Sequence, residues 1–235
     1  MNRRFSSEEE FRRWNEEMFV KYNNERMYFH PNPIIRYLEK KRIRLILEKL
    51  KPKDSDLVLE LGCGEAHILD LIKNGKTIGV DISSEAIQRA KEKKRRNKNI
   101  ILVQGDVEQT PFPENHFKKI ICTEVIEHVS NPEKLIDEIV RITRDDACIM
   151  FSIPNESVIN RIKKIVGMTG LYNILLRNVP RRMDEEWHLT PFTLPLFRDI
   201  ILGKLGIEDV QGVPFSWLPV RYVITCRNPI SNPNN

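Results

Sequence analysis

The sequence lacks the features that mark membrane-spanning, secreted and disordered proteins. Within its 235 residues, no apolar run approaches the ~20 residues that a membrane-spanning helix needs. The first residues, MNRRFSSEEEFRRW, have no apolar stretch behind their basic side chains, so they do not predict a secretory signal. Apolar residues make up 40% of the chain and charged residues 30%, which argues against disorder. We therefore expect a folded, cytoplasmic protein.

Cysteine is scarce, and its spacing argues against two common roles. The sequence has four cysteines and no C-x-x-C pair. Their wide spacing and mostly apolar surroundings predict buried free thiols rather than disulfides or a zinc site. We expect this of Cys63, Cys122, Cys148 and Cys226.

The excess of positive charge is small, with 38 basic against 33 acidic side chains and a net charge of +5. Much of it lies in residues 91–98, KEKKRRNK, which follow a predicted helix. Basic side chains at the C-terminal end of a helix interact favourably with its dipole and face water, so this run does not favour a nucleic-acid partner. RNA binding through the run stays an alternative that would show a steep dependence on salt.

The chain divides into two parts by its hydrophobic pattern. Residues 1–50 predict an N-terminal helical cover of two helices, divided at Pro31 and Pro33, because proline cannot continue the first helix and suits the start of the second. In residues 51–235, short apolar strands alternate with helices. The first five strands are expected at 57–61, 77–81, 100–104, 119–123 and 147–153. This alternation predicts an α/β domain with a parallel sheet and helices on both faces.

The alternation breaks after residue 155, where we expect a helical insert at 156–190. A helix at 193–205, ended by Gly206, and strands at 207–213 and 222–226 would complete the domain. Residues 156–182 mix apolar and basic side chains. This pattern predicts either a lid over a pocket or peripheral contact with an anionic membrane, and the sequence leaves both open. It also leaves the oligomeric state open.

Acidic residues end the first four predicted strands. Because open parallel sheets bind ligands beyond the carboxyl ends of their strands, these acids should lie around one pocket. They are Glu60, followed by Gly62 and Gly64, and then Asp81, Asp106 and Glu124.

The glycine-rich turn raises the alternative of a dinucleotide site, for which Asp81 would supply the ribose-binding acid. Glu60 and Glu65 flank the turn, and Ala66 stands near the place of the usual third glycine. At ~4 Å and an effective dielectric of ~20, like charges repel by about 4 kcal/mol, so a pyrophosphate is disfavoured here. A nucleoside that carries positive charge would be attracted by the same carboxylates.

Four segments in this order resemble the class I S-adenosylmethionine-dependent methyltransferases: VLELGCGEA (58–66), GVDIS (79–83), GDVEQTPFP (105–113) and ICTEVIEHV (121–129). The resemblance implies a Rossmann-like, seven-stranded, mostly parallel sheet and S-adenosyl-L-methionine as methyl donor. It implies that Asp81 holds the ribose, that Asp106 and Val107 bind the adenine, and that Ile82 packs on it. Further cofactor contacts are expected from Glu60, Gly62, Cys63, Gly64 and Thr123. Tyr22, Asn23, Tyr28 and Phe29 would cover the cofactor.

Residues on the acceptor side follow the fourth strand. Glu124, Glu127 and His128 would share one face of a helical turn, where they can accept a proton from a hydroxyl group or hold a divalent cation. We expect Glu124 and His128 to be catalytic, with His188, in the segment that often closes over the acceptor in this family, as a further candidate for substrate contact or base.

The E-x-x-E-H pattern most resembles the O-methyltransferases of ubiquinone biosynthesis, and it implies a magnesium site at Glu124, Glu127 and His128. A second resemblance, to small-RNA 2′-O-methyltransferases, would add His188 to that site. We expect a methyltransferase that acts on a small-molecule acceptor, by preference at oxygen. An RNA methyltransferase and a non-catalytic cofactor-binding module stay as alternatives.

Overall fold

The structure is a computed structural model that describes residues 5–22, 28–94, 97–169, 172, 176, 179 and 186–228. Asn23, two residues of the basic run and much of segment 170–185 lie outside the described residues. The helices are α1 (Glu8–Tyr22), α2 (Pro33–Leu50), α3 (His67–Leu71), α4 (Ser84–Lys93), α5 (Pro132–Ile142), α6 (Glu156–Met168) and α7 (Leu194–Ile201). The strands are β1 (Leu57–Leu61), β2 (Lys76–Asp81), β3 (Ile100–Gln104), β4 (Phe117–Thr123), β5 (Thr143–Pro154), β6 (Gly206–Phe215) and β7 (Leu218–Arg227).

The strands form one seven-stranded sheet in the order β3-β2-β1-β4-β5-β7-β6. Strands β1 to β5 pair in parallel, and β7 pairs antiparallel with β5 and β6. The predicted Rossmann-like, mostly parallel sheet is therefore confirmed. The strand order reverses between β1 and β4, which is the point where such sheets bind ligands.

Local sequence explains where the helices begin. Asn32 caps α2 by accepting the Ile34 N–H at 2.9 Å, and Pro33 takes the first helical position as predicted. Ser83 caps α4 by accepting the Ala86 N–H at 3.0 Å. The prediction that Gly206 ends α7 was wrong: α7 ends at Ile201, and Gly203, with φ +74°, makes the turn that only glycine adopts easily.

The core lies on both faces of the sheet. One face packs α5 and α7 against β4 and β5, and the other packs α2, α3 and α4 against β1, β4, β5 and β7. All four cysteines are buried free thiols, as the sequence predicts. Among the described residues, none of the helices combines the length and the apolar character that crossing a membrane requires.

The N-terminal helices cover the carboxyl edge of the sheet. Helix α1 lies against α4, where the Glu16 carboxylate accepts the N–H groups of Ser84 at 2.9 Å and Glu85 at 2.8 Å. Phe11 and Trp14 of α1 pack in one apolar cluster with the segment around Trp187, and Ile82 packs against this cluster. The cover therefore closes the space above the ends of β1 and β2.

Candidate active site

The glycine turn after β1 has a backbone that its sequence explains. Gly62 and Gly64 have φ of +69° and +52°, and Ala66 follows with φ +57° at the start of α3. A Cβ at Gly62 would lie 2.3 Å from Val125 Cγ2, whereas a Cβ at Gly64 would meet nothing within 4 Å. Gly62 is therefore needed for close packing on the loop after β4, and Gly64 leaves open space beside the turn.

A first cavity extends from this turn across the ends of β2 and β3. Asp81 lies at its centre, where Oδ2 accepts the Gly64 N–H at 2.7 Å and Oδ1 accepts the Ser83 N–H at 2.9 Å. Burial raises the pKa of Asp81, and these two N–H groups oppose the rise. Asp106 accepts the Glu108 N–H at 2.8 Å. Phe11, Asn15 and Phe19 of α1, together with Trp187, form the opposite wall.

A second, more polar cavity adjoins the first. Gly62, Gly64, Glu124, His128 and Trp187 line both cavities, so the two cavities adjoin along these residues. Every cofactor residue that the sequence predicts lines one of them: Asp81, Ile82, Asp106 and Val107 the first, Glu60, Cys63 and Thr123 the second, and Gly62 and Gly64 both. Of the predicted covering side chains, Tyr28 lines the second cavity and Tyr22 stacks on Trp187.

Glu60 is a buried carboxylate at the junction of the turn and the second cavity. Its Oε2 makes no hydrogen bond within the described part of the chain. Burial raises the pKa of Glu60 to about 8, although the nearby Arg42 lowers it. A buried carboxylate oxygen without a partner fits a cationic ligand group, such as the ammonium of S-adenosylmethionine.

Glu65 does not have the role that the sequence predicts for it. Its buried carboxylate forms ion pairs with Lys93 and, at 3.7 Å, with Arg89, both on α4. These cations compensate its charge, so the predicted repulsion between Glu65 and a pyrophosphate is not supported. The sequence could not show this, because the pairing depends on how α4 packs beside the turn.

Glu124 is held by two arginines that sequence reasoning missed. Its Oε2 accepts from Arg221 Nε at 2.8 Å, and its Oε1 accepts the Ser152 hydroxyl at 2.8 Å. Arg42 Nη1 donates to the same hydroxyl oxygen at 2.9 Å. Burial favours a higher pKa for Glu124, but Arg221 and Arg42 outweigh it and lower the pKa to about 2. Glu124 is therefore a permanently charged partner of two arginines, which does not support the predicted role as a base.

The loop after β4 is a turn rather than the predicted helical turn, and it brings a different set of groups together. Glu127, His128 and His188 have ligand-type atoms within 4.8 Å of one another, whereas Glu124 faces Arg221. The Leu189 N–H donates to the Glu127 carbonyl at 2.8 Å, which fixes the segment that carries His188 against this turn.

The protonation of the turn residues follows from their burial. His128 Nδ1 lies 3.1 Å from the Trp187 carbonyl, which can only accept, so Nδ1 holds the proton and Nε2 is an acceptor. Burial, reinforced by His188, lowers the pKa of His128 to about 3. Burial, reinforced by Glu124, raises the pKa of Glu127 to about 8. At neutral pH, His128 is uncharged and Glu127 is mostly protonated.

His188 has a carboxylate partner that the sequence did not suggest. Its Nδ1 lies 2.7 Å from Glu156 Oε1, and both side chains are largely buried. Glu156 begins α6, two residues after β5 ends, so it is a fifth acid beyond a strand end. The sequence could have suggested Glu156, because this residue follows the predicted end of the fifth strand. Arg42 and Arg221 gave no such signal, since a basic residue in a helix or an edge hairpin usually faces water.

The donor atoms of this cluster do not fit the predicted magnesium site. Magnesium prefers oxygen ligands, but His128 and His188 offer nitrogen, and Glu124 is occupied by Arg221 and Ser152. One carboxylate with two imidazoles is closer to the donor set of a transition metal. Glu124, Glu127 and His128 are therefore not supported as magnesium ligands.

Comparison with known proteins agrees with this geometry. Residues 59–151 match the family model described as a methyltransferase domain. An uncharacterized protein of Methanocaldococcus jannaschii is 31% identical over 144 residues, 61% of this chain and 59% of that protein. The ubiquinone biosynthesis O-methyltransferase of Coxiella burnetii is 28% identical over 177 residues, 74% of this chain and 73% of that enzyme.

Solved structures share the fold at low sequence identity. A SAM dependent methyltransferase from Aquifex aeolicus has a TM-score of 0.61 at 15% identity, over 89% of this chain and 96% of that chain. The Haloferax volcanii protein solved in complex with the Trm112 methyltransferase activator has a TM-score of 0.67 at 13% identity, over 91% of this chain and 97% of that chain. The family match shows a methyltransferase domain at residues 59–151, and together with the shared fold and the arrangement of the glycine turn and strand-end acids it supports a class I S-adenosylmethionine-dependent methyltransferase.

Proposed function

We propose that this enzyme transfers the methyl group of S-adenosylmethionine to an oxygen atom of a small-molecule acceptor. The cofactor supplies a methyl group on a positively charged sulfur, which needs no further activation. The observation that carries the proposal is the adjacency of the two cavities, with Glu127, His128 and His188 lining the second one together with the glycine turn. The protein's part is to align the two reactants and to take the proton of the acceptor hydroxyl.

The cofactor site is proposed residue by residue. Asp81 would accept hydrogen bonds from the ribose hydroxyls, and Asp106 with the Val107 N–H would bind the adenine, against which Ile82 packs. Glu60 would pair with the ammonium group of the methionine part. The orphaned Oε2 of Glu60 and the open space at Gly64 support this placement.

Replacing Asp81 with alanine should weaken cofactor binding by about 100-fold, because each hydrogen bond to a charged group contributes about 1.5–3 kcal/mol. Isothermal titration with S-adenosylhomocysteine measures this loss. Asp70→Ala is the matched control, since Asp70 pairs with Lys94 outside both cavities. Unchanged affinity in a folded Asp81→Ala protein would remove the ribose role.

The acceptor side supports a hydroxyl nucleophile. His188, oriented by Glu156, is the proposed base, and His128 Nε2 is the proposed acceptor of a substrate hydrogen bond. A protonated nucleophile needs such a base, whereas a thioether or a preformed anion would not. The name of the Coxiella burnetii relative, a ubiquinone biosynthesis O-methyltransferase, is consistent with this acceptor chemistry.

RNA as the acceptor has less support. Lys93 and Lys94 of the basic run form ion pairs with Glu65 and Asp70, so part of the run's charge is compensated within the protein. The insert at 156–190 is expected to cover the pocket or to contact a membrane, and neither role requires RNA. Its described helix, α6, begins with Glu156, which bonds to His188 of the second cavity.

A screen for transfer of a tritiated methyl group tests the proposal. Phenols, quinol precursors, lipids and short RNAs are offered with and without magnesium. We expect label in a hydroxyl-bearing small molecule or lipid, and no change in rate with magnesium, because Glu124 is occupied by its arginine. Label that enters RNA alone, or only amine acceptors, would contradict the proposal. Strict dependence on magnesium would restore the metal site.

A further inference from the structure

The turn between β6 and β7 exposes an aromatic pair to solvent. Trp217 is 78% exposed and Phe215 46% exposed. Their rings stack with centroids 5.3 Å apart and planes 5° apart, and Leu218 beside them is also exposed. A contiguous apolar patch that faces water usually marks a surface that contacts another phase or molecule.

This turn projects beyond the active-site edge of the sheet. In the β5–β7 ladder, Arg221 is opposite Pro154, the last residue of β5. Residues that precede Arg221 therefore extend past the carboxyl edge, while Arg221 itself reaches Glu124 in the second cavity. The aromatic pair consequently lies near the opening of the proposed acceptor site.

Helix α2 continues the apolar surface on one side of the turn. Lys41 Nζ donates to the Pro214 carbonyl at 2.6 Å and lies 5.3 Å from the centre of the Phe215 ring. Tyr37 and Ile34 lie one and two turns earlier on the same face of α2, and both are more than half exposed. We call Ile34, Tyr37, Phe215, Trp217 and Leu218 the aromatic rim.

Helix α6 flanks the turn on the other side. The Asn155 N–H donates to the Val220 carbonyl at 2.9 Å, and Asn155 Nδ2 donates to the Pro219 carbonyl at 2.9 Å. Asn155 caps α6, a helix in which no residue is buried and in which Ile165 and Met168 are exposed. Helix α6 therefore begins beside the aromatic rim, and its exposed apolar side chains lie further along the helix, toward its C-terminal end.

The charges beside the aromatic rim are basic. Residues 213–220 contain no charged side chain. On α6, the acid Glu156 bonds to His188, and Arg161 and Lys164 are basic. On α2, the acid Glu39 is buried in a pair with Arg42, whereas Arg36, Lys40 and Lys41 carry positive charge. Aromatic side chains with flanking lysines and arginines complement an anionic lipid surface.

We propose that the aromatic rim docks on an anionic membrane surface and turns the opening of the second cavity toward the lipid phase. A lipid-soluble acceptor would then reach the active site from the bilayer. The choice of acceptor rests on the proposed function, but membrane docking through these residues does not depend on it.

Co-sedimentation of the full chain with vesicles tests the proposal. Vesicles of phosphatidylglycerol and phosphatidylcholine are used in physiological salt, with pure phosphatidylcholine for comparison. We expect the wild type to sediment with the anionic vesicles. We expect the double variant Phe215→Ser with Trp217→Ser to partition at least about tenfold more weakly, because two exposed aromatic side chains are no longer available for burial in the lipid. Leu202→Ser is the matched control, because Leu202 is 80% exposed and lies just before β6, at the opposite edge of the sheet.

Tryptophan fluorescence adds a local readout. Trp14 and Trp187 are buried, so an emission shift on vesicle addition reports Trp217. A blue shift in the wild type that is absent from Trp217→Ser supports docking through the rim. The proposal is overturned if the wild type does not bind anionic vesicles, if the double variant binds as well as Leu202→Ser, or if light scattering shows that the rim instead joins two copies of the chain. Methyl transfer to a water-soluble acceptor, measured on the same proteins, separates this result from failure of the proposed function.

Discussion

Replacing Glu124 with glutamine should lower the free energy of unfolding by about 3–5 kcal/mol, the usual cost of removing one partner from a buried ion pair. The substitution leaves Arg221 and the buried Arg42 without their shared carboxylate. Urea denaturation measures the loss. Glu127→Gln is the matched control three residues away, because burial keeps Glu127 mostly protonated at neutral pH and glutamine resembles that form.

The ion pair of Glu124 with Arg221 also predicts that the free energy of unfolding depends on pH in the acid range. The carboxyl group of Glu124 takes up a proton near its ordinary pKa of 4.5 in the unfolded chain but only near pH 2 in the folded one. Its stabilising contribution is therefore complete above pH 4.5 and is lost as the pH falls toward 2. We expect the gap in stability between wild type and Glu124→Gln to narrow over this range. A constant gap, or a Glu124→Gln protein as stable as the control, would show that the arginines do not depend on this carboxylate.

Replacing His188 with alanine should lower kcat by about 10² to 10⁴, the contribution typical of a general base. Cofactor affinity should stay unchanged, because His188 lines the second cavity and not the wall around Asp81. Single-turnover methyl transfer and calorimetry separate the two effects. The residual rate of His188→Ala should recover as the pH approaches the acceptor's own pKa, since solvent then ionises the hydroxyl without help.

Two variants accompany this measurement. Glu156→Gln keeps a polar partner for His188 but removes its charge, so its loss in kcat should be smaller than that of His188→Ala. His116→Ala changes an exposed histidine and should leave kcat unaltered. Full turnover in His188→Ala would show that another group or solvent, and not His188, takes the proton of the acceptor hydroxyl.

The residues around the proposed cofactor site could be placed from the sequence because their signals are local. A glycine turn after an apolar strand, and acids at the ends of successive strands, lie within a few residues of the elements that place them. Parallel pairing then brings Glu60, Asp81 and Asp106 to one edge without any further information. The roof of this space was predicted only in outline, as an N-terminal helical cover.

The acceptor side could not be predicted to the same depth. Glu124 was expected to act as a base and metal ligand, but Arg221, from the last strand, makes it an ion-pair partner. Glu65 was expected to repel phosphate, but Lys93 compensates it. His188 was a candidate, whereas its partner Glu156 was not. In each case the deciding contact joins segments far apart in the chain.

The sequence by itself determined the fold class, the position of the glycine turn and the strand-end acids that line the cavities, because hydrophobic period and turn chemistry act over a few residues. Only the tertiary structure decided which carboxylates are charged and which histidine is hydrogen-bonded to a carboxylate. It also decided which aromatic side chains are exposed to water. A pKa depends on burial and on neighbouring charges, and exposure depends on what packs above a residue, so both are properties of the folded chain rather than of any segment of it.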